Sequence, residues 1–497
     1  MDPQAPLLLL LLLPFSLLLL LLLKTNIKRN HQNLPPGPRR LPIIGNLHQL
    51  GLSPYHSLHT LSVKHGPLVF LQLGSVPALI VSSSSAAQQI IKSHDAAFSN
   101  RPHFQAAYKL TYGGIDITTS PYGNYWKQLR KVCINELLSL KCVESFRTLR
   151  EDEVSRLIDR IKNSSSSSST MINLTKVMLN FGNNFVCRIM FGDKFRERES
   201  RFDEIISETK GLVEEFWVSD FLPGLKWVNE VRGDKKRLEK NFKEFDGFFD
   251  EMIKEHVSVD GDEHEDLLHI LLRLQKDPSY SASFTSITNV KSLMLDIFIG
   301  GSDSSSEIIV WTMAELMRNV RVMSKLQKEI QQVVGSKSKV EESDLQSLNY
   351  LKLVIKETLR LHPPGPFLVP RETIEPCNIE EYDIPSKTMV FINAKALAMD
   401  PKSWKNPHEF WPERFLENDR DYKPTQYFDY MPFGFGRRGC PGVNFALAIM
   451  DLTLANLLHS FDWEPPFGMK VEDMDFGEVF SLATCMKNNL CLVAKAK

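Results

Sequence analysis

The stretch FGFGRRGCPG, Phe433 to Gly442, gathers four glycines, two arginines and a proline around Cys440. Beyond it, Val443, Leu447, Met450, Leu454, Leu457 and Phe461 recur at steps of four and three, which is one face of a buried helix. Pro441 suits the first helical position. Cys440 then sits at a helix N-terminus, where free N–H groups and the dipole stabilise a thiolate. The upstream glycines let a loop pass close to something flat and bulky, with no side chain in the way. Anionic sulfur on such a loop is what an axial ligand to an iron porphyrin needs, and Arg438 is near enough to pair with a propionate. A lone cysteine at a Gly-rich turn also serves as plain structure.

Three further stretches carry chemistry-bearing residues. KETLRLHPP sets Glu357 and Arg360 three apart on one helix face. By itself that is a solvated pair, worth roughly a few tenths of a kcal/mol. YGNYWKQLRK sets Trp126 and Arg130 four apart, which also describes a surface arginine beside a half-buried tryptophan. In DIFIGGSDSSSEIIVWTMAELMRNV, Gly300 and Gly301 each cost about 1 kcal/mol in a helix interior and are able to end it. The apolar pattern resumes through Ile309, Met313, Leu316 and Val320, so the spacing predicts one long helix with a local distortion.

The elements that hold these residues are mostly helical. Short strand-like pieces, LVFLQLG and ALIVSSS, lie between Leu68 and Ser84, with others around Met389 to Ile392. The chain reads as mainly α with small β-sheets, in one large catalytic domain over 43–497. The prolines of LPPGPRRLPIIGNL make 24–42 a basic, stiff hinge. The serine run Ser164 to Thr170 and the acidic stretch Val259 to Asp266 read as surface loops.

Residues Leu7 to Leu23 carry no charge, and fourteen of them are leucine. Membrane insertion of residues 1–23 is favoured by several kcal/mol at roughly −0.3 to −0.6 kcal/mol per central leucine. A cleaved signal peptide is the competing reading, but Asp2 precedes the run and KTNIKR follows it, with no small-residue cleavage site. The basic flank Lys24, Lys28 and Arg29 belongs on the cytoplasmic side. Across 497 residues the formal net charge is -1, which leaves no basic excess for nucleic acid. The seven cysteines are scattered without a CxxC, as in a reducing compartment.

Phe433-x-x-Gly436-x-Arg438-x-Cys440-x-Gly442 resembles the cysteine-loop signature of the cytochrome P-450 haem-thiolate monooxygenases at every fixed position. LPPGPRRLPIIGNLHQL, FSNRP, DFLPGLKW and MAELMRN narrow the likeness to the large plant seventy-one family. The resemblance implies the cytochrome P-450 fold, with haem b held by Cys440, Phe433 and Gly442 and by propionate partners Trp126, Arg130, Arg371 and Arg438. It implies a buried Glu357–Arg360–Arg414 network, the last from Pro412-Glu413-Arg414-Phe415. It puts the acid-alcohol pair that handles protons on Asp303 and Ser304, where serine replaces the usual threonine.

The same resemblance implies insertion of one oxygen atom from O2 into a lipophilic plant metabolite. NADPH supplies the electrons through a flavoprotein reductase, for which Lys127, Lys131 and Arg437 are docking candidates or plain solvated charges. Substrate-facing candidates are Phe104, Ile115, Phe216, Phe221, Ile297, Gly301, Phe367, Leu368, Phe480 and Leu482, any of which also suits core packing. Their apolar character puts terpenoids slightly ahead of alkaloids, phenylpropanoids and oximes. The implied location is the endoplasmic reticulum membrane, single-pass, with the catalytic domain cytosolic. Ser304 motivates one rival, a haem-dependent dehydratase, isomerase or coupling enzyme. A membrane-anchored scaffold without catalysis is the other.

Overall fold

The structure, a computed structural model, describes residues 33–51, 54–164, 171–192, 199–258, 265–280, 284, 286–417, 420–422, 426–480 and 483–497. The predicted anchor 1–23, the hinge before Asn33, the serine run after Ser164, the acidic stretch before Glu265 and Leu482 lie outside the described residues.

The architecture is helical with small sheets, as the periodicity predicts. Six strands matter for the site: β1 (Leu68–Leu73), β2 (Val76–Val81), β3 (Arg371–Glu372), β4 (Met389–Ile392), β5 (Glu478–Phe480) and β6 (Thr484–Met486). The main sheet runs β1-β2-β4-β3, with β2 and β4 parallel. β5 and β6 form a separate antiparallel pair. The strand-like pieces of the sequence coincide with β1, β2 and β4. It does not reveal the sheet formed by Met171–Asn173, Cys491–Ala496 and Phe461–Glu464, whose strands are short and join residues far apart in the chain. The Pro-rich segment lies extended along β1, where the Phe70 amide donates to the Pro36 carbonyl at 2.9 Å.

Seven helices position the site: α1 (Asn124–Val132), α2 (Leu174–Phe191), α3 (Ile287–Gly301), α4 (Asp303–Arg318), α5 (Val320–Val334), α6 (Asn349–Leu361) and α7 (Val443–Ser460). α3 and α4 meet at Ser302, whose φ of -79° and ψ of -55° remain helical. The pair is therefore one long helix with a single disturbed turn. α2 presses on that turn because Gly182 has no side chain. A Cβ there would lie 2.2 Å from Ser306 Oγ and 2.4 Å from the Ser302 carbonyl oxygen.

α7 starts at Val443 behind a Gly442 cap, so Pro441 precedes the helix instead of opening it. Among the described residues α7 is the one helix long and apolar enough to cross a membrane. Its residues Met450, Leu454 and Leu457 are fully buried in the main core with Trp311 and Met313 of α4. It is the protein's central packing helix, and burying each such side chain contributes about 1.5–3 kcal/mol.

Candidate active site

The loop before α7 turns sharply. Gly434 and Gly436 have φ of 70° and 57°, the left-handed region. A Cβ on Gly436 would also lie 2.3 Å from Asp95 Oδ1. The Cys440 amide donates to the Phe433 carbonyl at 2.8 Å, closing the loop. The Phe433 ring meets Tyr422 edge-on at 5.5 Å.

Protein encloses Cys440, yet the residue keeps exposed surface. Gly300 and Gly301, midway along an otherwise core-facing helix, are exposed as well. The cysteine loop and the glycine pair thus each leave surface that a bound flat group would cover. Burial raises the Cys440 thiol, opposed by the Gly442 N–H and the Arg130 charge. The protein alone therefore leaves the thiol above its ordinary range, contrary to the helix-dipole expectation. The first turn of α7 begins three residues later, and metal coordination is what deprotonates a thiol outright.

Four guanidiniums gather beside the loop. Arg130 on α1 donates to the Gly439 carbonyl at 2.6 Å. Arg438 donates to the carbonyls of Ser99, Ile117 and Ser120 at 2.8, 3.1 and 2.5 Å, and lies 4.1 Å over the Trp126 ring. Trp126 Nε1 donates to the same Ile117 carbonyl at 2.9 Å. Arg371 on β3 donates to Phe435 O at 2.7 Å and Asp95 Oδ1 at 3.2 Å.

The fourth is Arg101, which sequence reasoning quoted only inside FSNRP. It donates to Thr118 O at 2.9 Å and to Val369 O and Pro370 O at 2.7 Å each. Burial depresses all four, and in Arg101 and Arg438 repulsion from neighbouring guanidiniums adds to it. Arg438 falls to about 9, and Arg101 lies well below the usual arginine range. Burial also pulls Arg371 down to about 10, against the opposing charge of Asp95. A cationic cluster held on carbonyls, short of carboxylates, fits a buried dianion such as a pair of propionates.

At the disturbed turn of the long helix, Asp303 Oδ1 accepts from Lys210 Nζ at 2.7 Å, and Lys210 also reaches Ser302 Oγ at 3.1 Å. Ser304 Oγ donates back to the Gly300 carbonyl at 2.9 Å. Lys210 has no local sequence signal, since it approaches from a separate helix. Another unforeseen pair is Asp116 with Asp296. Asp296 accepts from the Ile117 amide at 2.7 Å. Burial, then the Asp116 charge, raises Asp296 well above the usual carboxylate range. This ties α3 to the loop whose Ile117 carbonyl receives Trp126 and Arg438.

Beneath the site, Glu357 and Arg360 are fully buried. Arg360 donates twice to Glu357, at 2.9 and 2.8 Å, and Arg414 Nε joins at 3.0 Å. The remaining guanidinium donors end on carbonyls, including Ala398, Pro407 and Lys405.

The substrate candidates separate into groups. Phe104, Phe221 and Phe367 pack in one cluster with β1, β2 and Met389. Tyr55 joins Phe367 to Phe480, with ring centroids 5.4 Å from each. Leu368, with φ of 51°, packs in a neighbouring cluster. The Ile115 carbonyl accepts from the Tyr125 hydroxyl in the loop that Asp296 anchors, and Ile297 packs against the main core. Phe216 is exposed and stacked flat on Phe221 at 5.2 Å.

A family model described as cytochrome P-450 matches residues 35–491. The chain belongs to the cytochrome P-450 family. A strychnine-11-hydroxylase of Strychnos nux-vomica is 48% identical over 470 residues, covering 93% of this chain and 91% of that one. A seventy-one-family cytochrome P-450 of Glycine max is 48% identical over 469 residues, covering 93% of each. A phenylacetaldehyde oxime monooxygenase of Prunus mume is 44% identical over 473 residues, covering 94% and 90%. A zebra fish cytochrome P-450 structure with abiraterone superposes with a TM-score of 0.75 at 24% identity, over 90% of this chain and 100% of that one. The cytochrome P-450 fold and the monooxygenase class follow, and the family implies haem.

Proposed function

We propose that this cytochrome P-450 is a membrane-anchored, reductase-dependent monooxygenase of plant specialised metabolism that oxidises a lipophilic small molecule. The observation that carries the reading is Cys440, which keeps exposed surface on its glycine-rich loop beside the Arg101–Arg130–Arg371–Arg438 cluster. When bound, haem supplies the oxygen-activating chemistry, which is the cofactor's own.

The chain's residues do the rest. Cys440 would ligate the haem iron through its sulfur, and the four arginines with Trp126 would hold the propionates. Asp303 and Ser304 hold protons on the distal side, with Lys210 setting the position of the Asp303 carboxylate. Phe104, Phe221, Phe367 and Phe480 offer apolar and aromatic walls that exclude water from the reacting face.

The named relatives act on an alkaloid and an aryl oxime, and a further one, 43% identical over 481 residues, is a desmethyl-deoxy-podophyllotoxin synthase of Sinopodophyllum hexandrum. These names favour a ring-bearing substrate over the terpenoid ranking drawn from apolarity alone. Leu41 and Ile43 are exposed in one segment, and Leu225 and Trp227 in another. The turn after β1 joins the two segments, with Gly74 donating to Ile44 O and Ser75 to Phe221 O. These exposed apolar residues support seating on the endoplasmic reticulum membrane. Exposed Lys127 and Lys131 on α1 support reductase docking, whereas Arg437 is engaged by Asp95 at 2.9 Å.

The test is turnover by microsomes carrying the chain and a plant reductase, under isotope-labelled O2, with alkaloid, oxime, lignan and terpenoid panels. Label in an NADPH-dependent product supports the reading. Conversion without label would instead favour the haem-dependent isomerase or dehydratase that Ser304 motivates.

A further inference from the structure

Glu307 stands one turn beyond Asp303 and three residues beyond Ser304 on α4. It is 3% exposed, and its Oε2 is buried with no hydrogen-bond partner. An unpaired buried oxygen costs about 1–3 kcal/mol, so its retention asks for a reason. Long side chains on a helix lean toward the preceding turn, which here carries Asp303 and Ser304.

Three polar side chains of that turn are already engaged. Asp303 is held by Lys210, Ser304 by the Gly300 carbonyl and Ser306 by the Ser302 carbonyl. Ser302 Oγ donates to Phe298 O. Glu307 thus carries a buried, uncommitted oxygen beside them. Its other flank is β6, fixed to α4 by Trp311 Nε1 donating to Thr484 O at 2.8 Å. That bond brings the Cys485 thiol against the Glu307 carboxyl.

We propose that Glu307 is a second proton-holding acid of the distal site, exchanging its Oε2 proton with water at the Ser304 turn. The carboxylate left behind regains a proton from solvent, so each cycle balances. The inference rests on the monooxygenase reading, whose chemistry consumes protons at this face. The ionisable groups that bear on Glu307 are Asp303 on its own helix and Cys485 from β6. Glu214 acts on Cys485, and Lys210 arrives through Asp303. Burial, with Asp303 adding to it and the Cys485 hydrogen bond opposing it, pushes Glu307 up to about 7. An acid poised near working pH is suited to proton exchange.

The test follows the carbon-monoxide stretching band of the reduced, loaded enzyme as pH is varied across neutrality. The parent is expected to show one transition near neutrality, absent in Glu307→Gln and displaced in Glu307→Asp and Cys485→Ser. Product formed per NADPH should fall about tenfold in Glu307→Gln, with a flattened pH profile. A transition that persists unchanged in Glu307→Gln, or a parent without one, overturns the proposal while the thiolate Soret band stays normal. Loss of that band in the parent would instead overturn the underlying haem-thiolate reading, and this inference with it.

Discussion

The Ser304 hydroxyl donates to the Gly300 carbonyl four residues back, at 2.9 Å, inside the disturbed turn between α3 and α4. A serine bonded to its own helix offers its lone pairs outward but spends its proton inward. Threonine is stiffer at χ1. Ser304→Thr should therefore keep or raise product formed per NADPH, and Ser304→Ala should lower it and divert electrons to peroxide. Asp303→Asn should cost on the order of 10²-fold in turnover with an unchanged haem spectrum. Product and peroxide assays decide this, and an alanine variant as well coupled as the parent would contradict the assigned role.

Arg101 should matter for haem retention as much as the arginines read from motifs. Arg101→Leu removes a charge that its neighbours repel, so the variant's fold should survive. Haem loss to apomyoglobin should nonetheless speed up by about tenfold, the equivalent of about 1.4 kcal/mol. An unchanged transfer rate would remove Arg101 from the propionate cluster.

Breaking the buried ion network should be far more damaging. Glu357→Ala leaves Arg360 and Arg414 buried without their carboxylate. The loss is about 3–5 kcal/mol, a large part of a typical domain's stability. Soluble yield and thermal midpoint should collapse, whatever the haem supply. A variant as stable as the parent would show that the carbonyl contacts suffice.

A pH dependence follows from Glu478. Burial would raise its carboxyl, but His362 at 2.8 Å and Lys395 overcome that and lower it from 4.5 to about 2. A carboxylate depressed in the folded state stabilises above its unfolded value, and the gain fades as pH falls through the folded one. The contribution, of order 3 kcal/mol, should be complete at neutral pH and shrink from about 4.5 down toward 2. Thermal midpoints of the parent and Glu478→Gln should converge on acidification. A gap that widens there would reverse the assignment.

The loop around Cys440, the Glu357–Arg360 pair and the long distal helix were legible because each is local. Glycine spacing, an i,i+3 pair and helical periodicity all sit within a few turns of sequence. Lys210, Arg101 and the Asp116–Asp296 pair were not legible as site residues. Each acts through a partner on another element, and a lone Lys, Arg or Asp in a loop or on a helix face looks solvated until the fold buries it. The strands around Phe461–Glu464 and Cys491–Ala496 escaped for the same reason, since they exist only once distant segments pair. The start of α7 differed because Gly442, with φ of -90° and ψ of 16°, is not helical and leaves Pro441 outside.

The most direct test of the account is the reduced, carbon-monoxide difference spectrum of the full chain in microsomes, beside Cys440→Ala. The parent should give a red-shifted, thiolate-type Soret band, and the variant should lack it along with all NADPH-dependent turnover. A parent that is well expressed but shows no haem band, or a variant that keeps the thiolate band, would contradict Cys440 as the axial ligand.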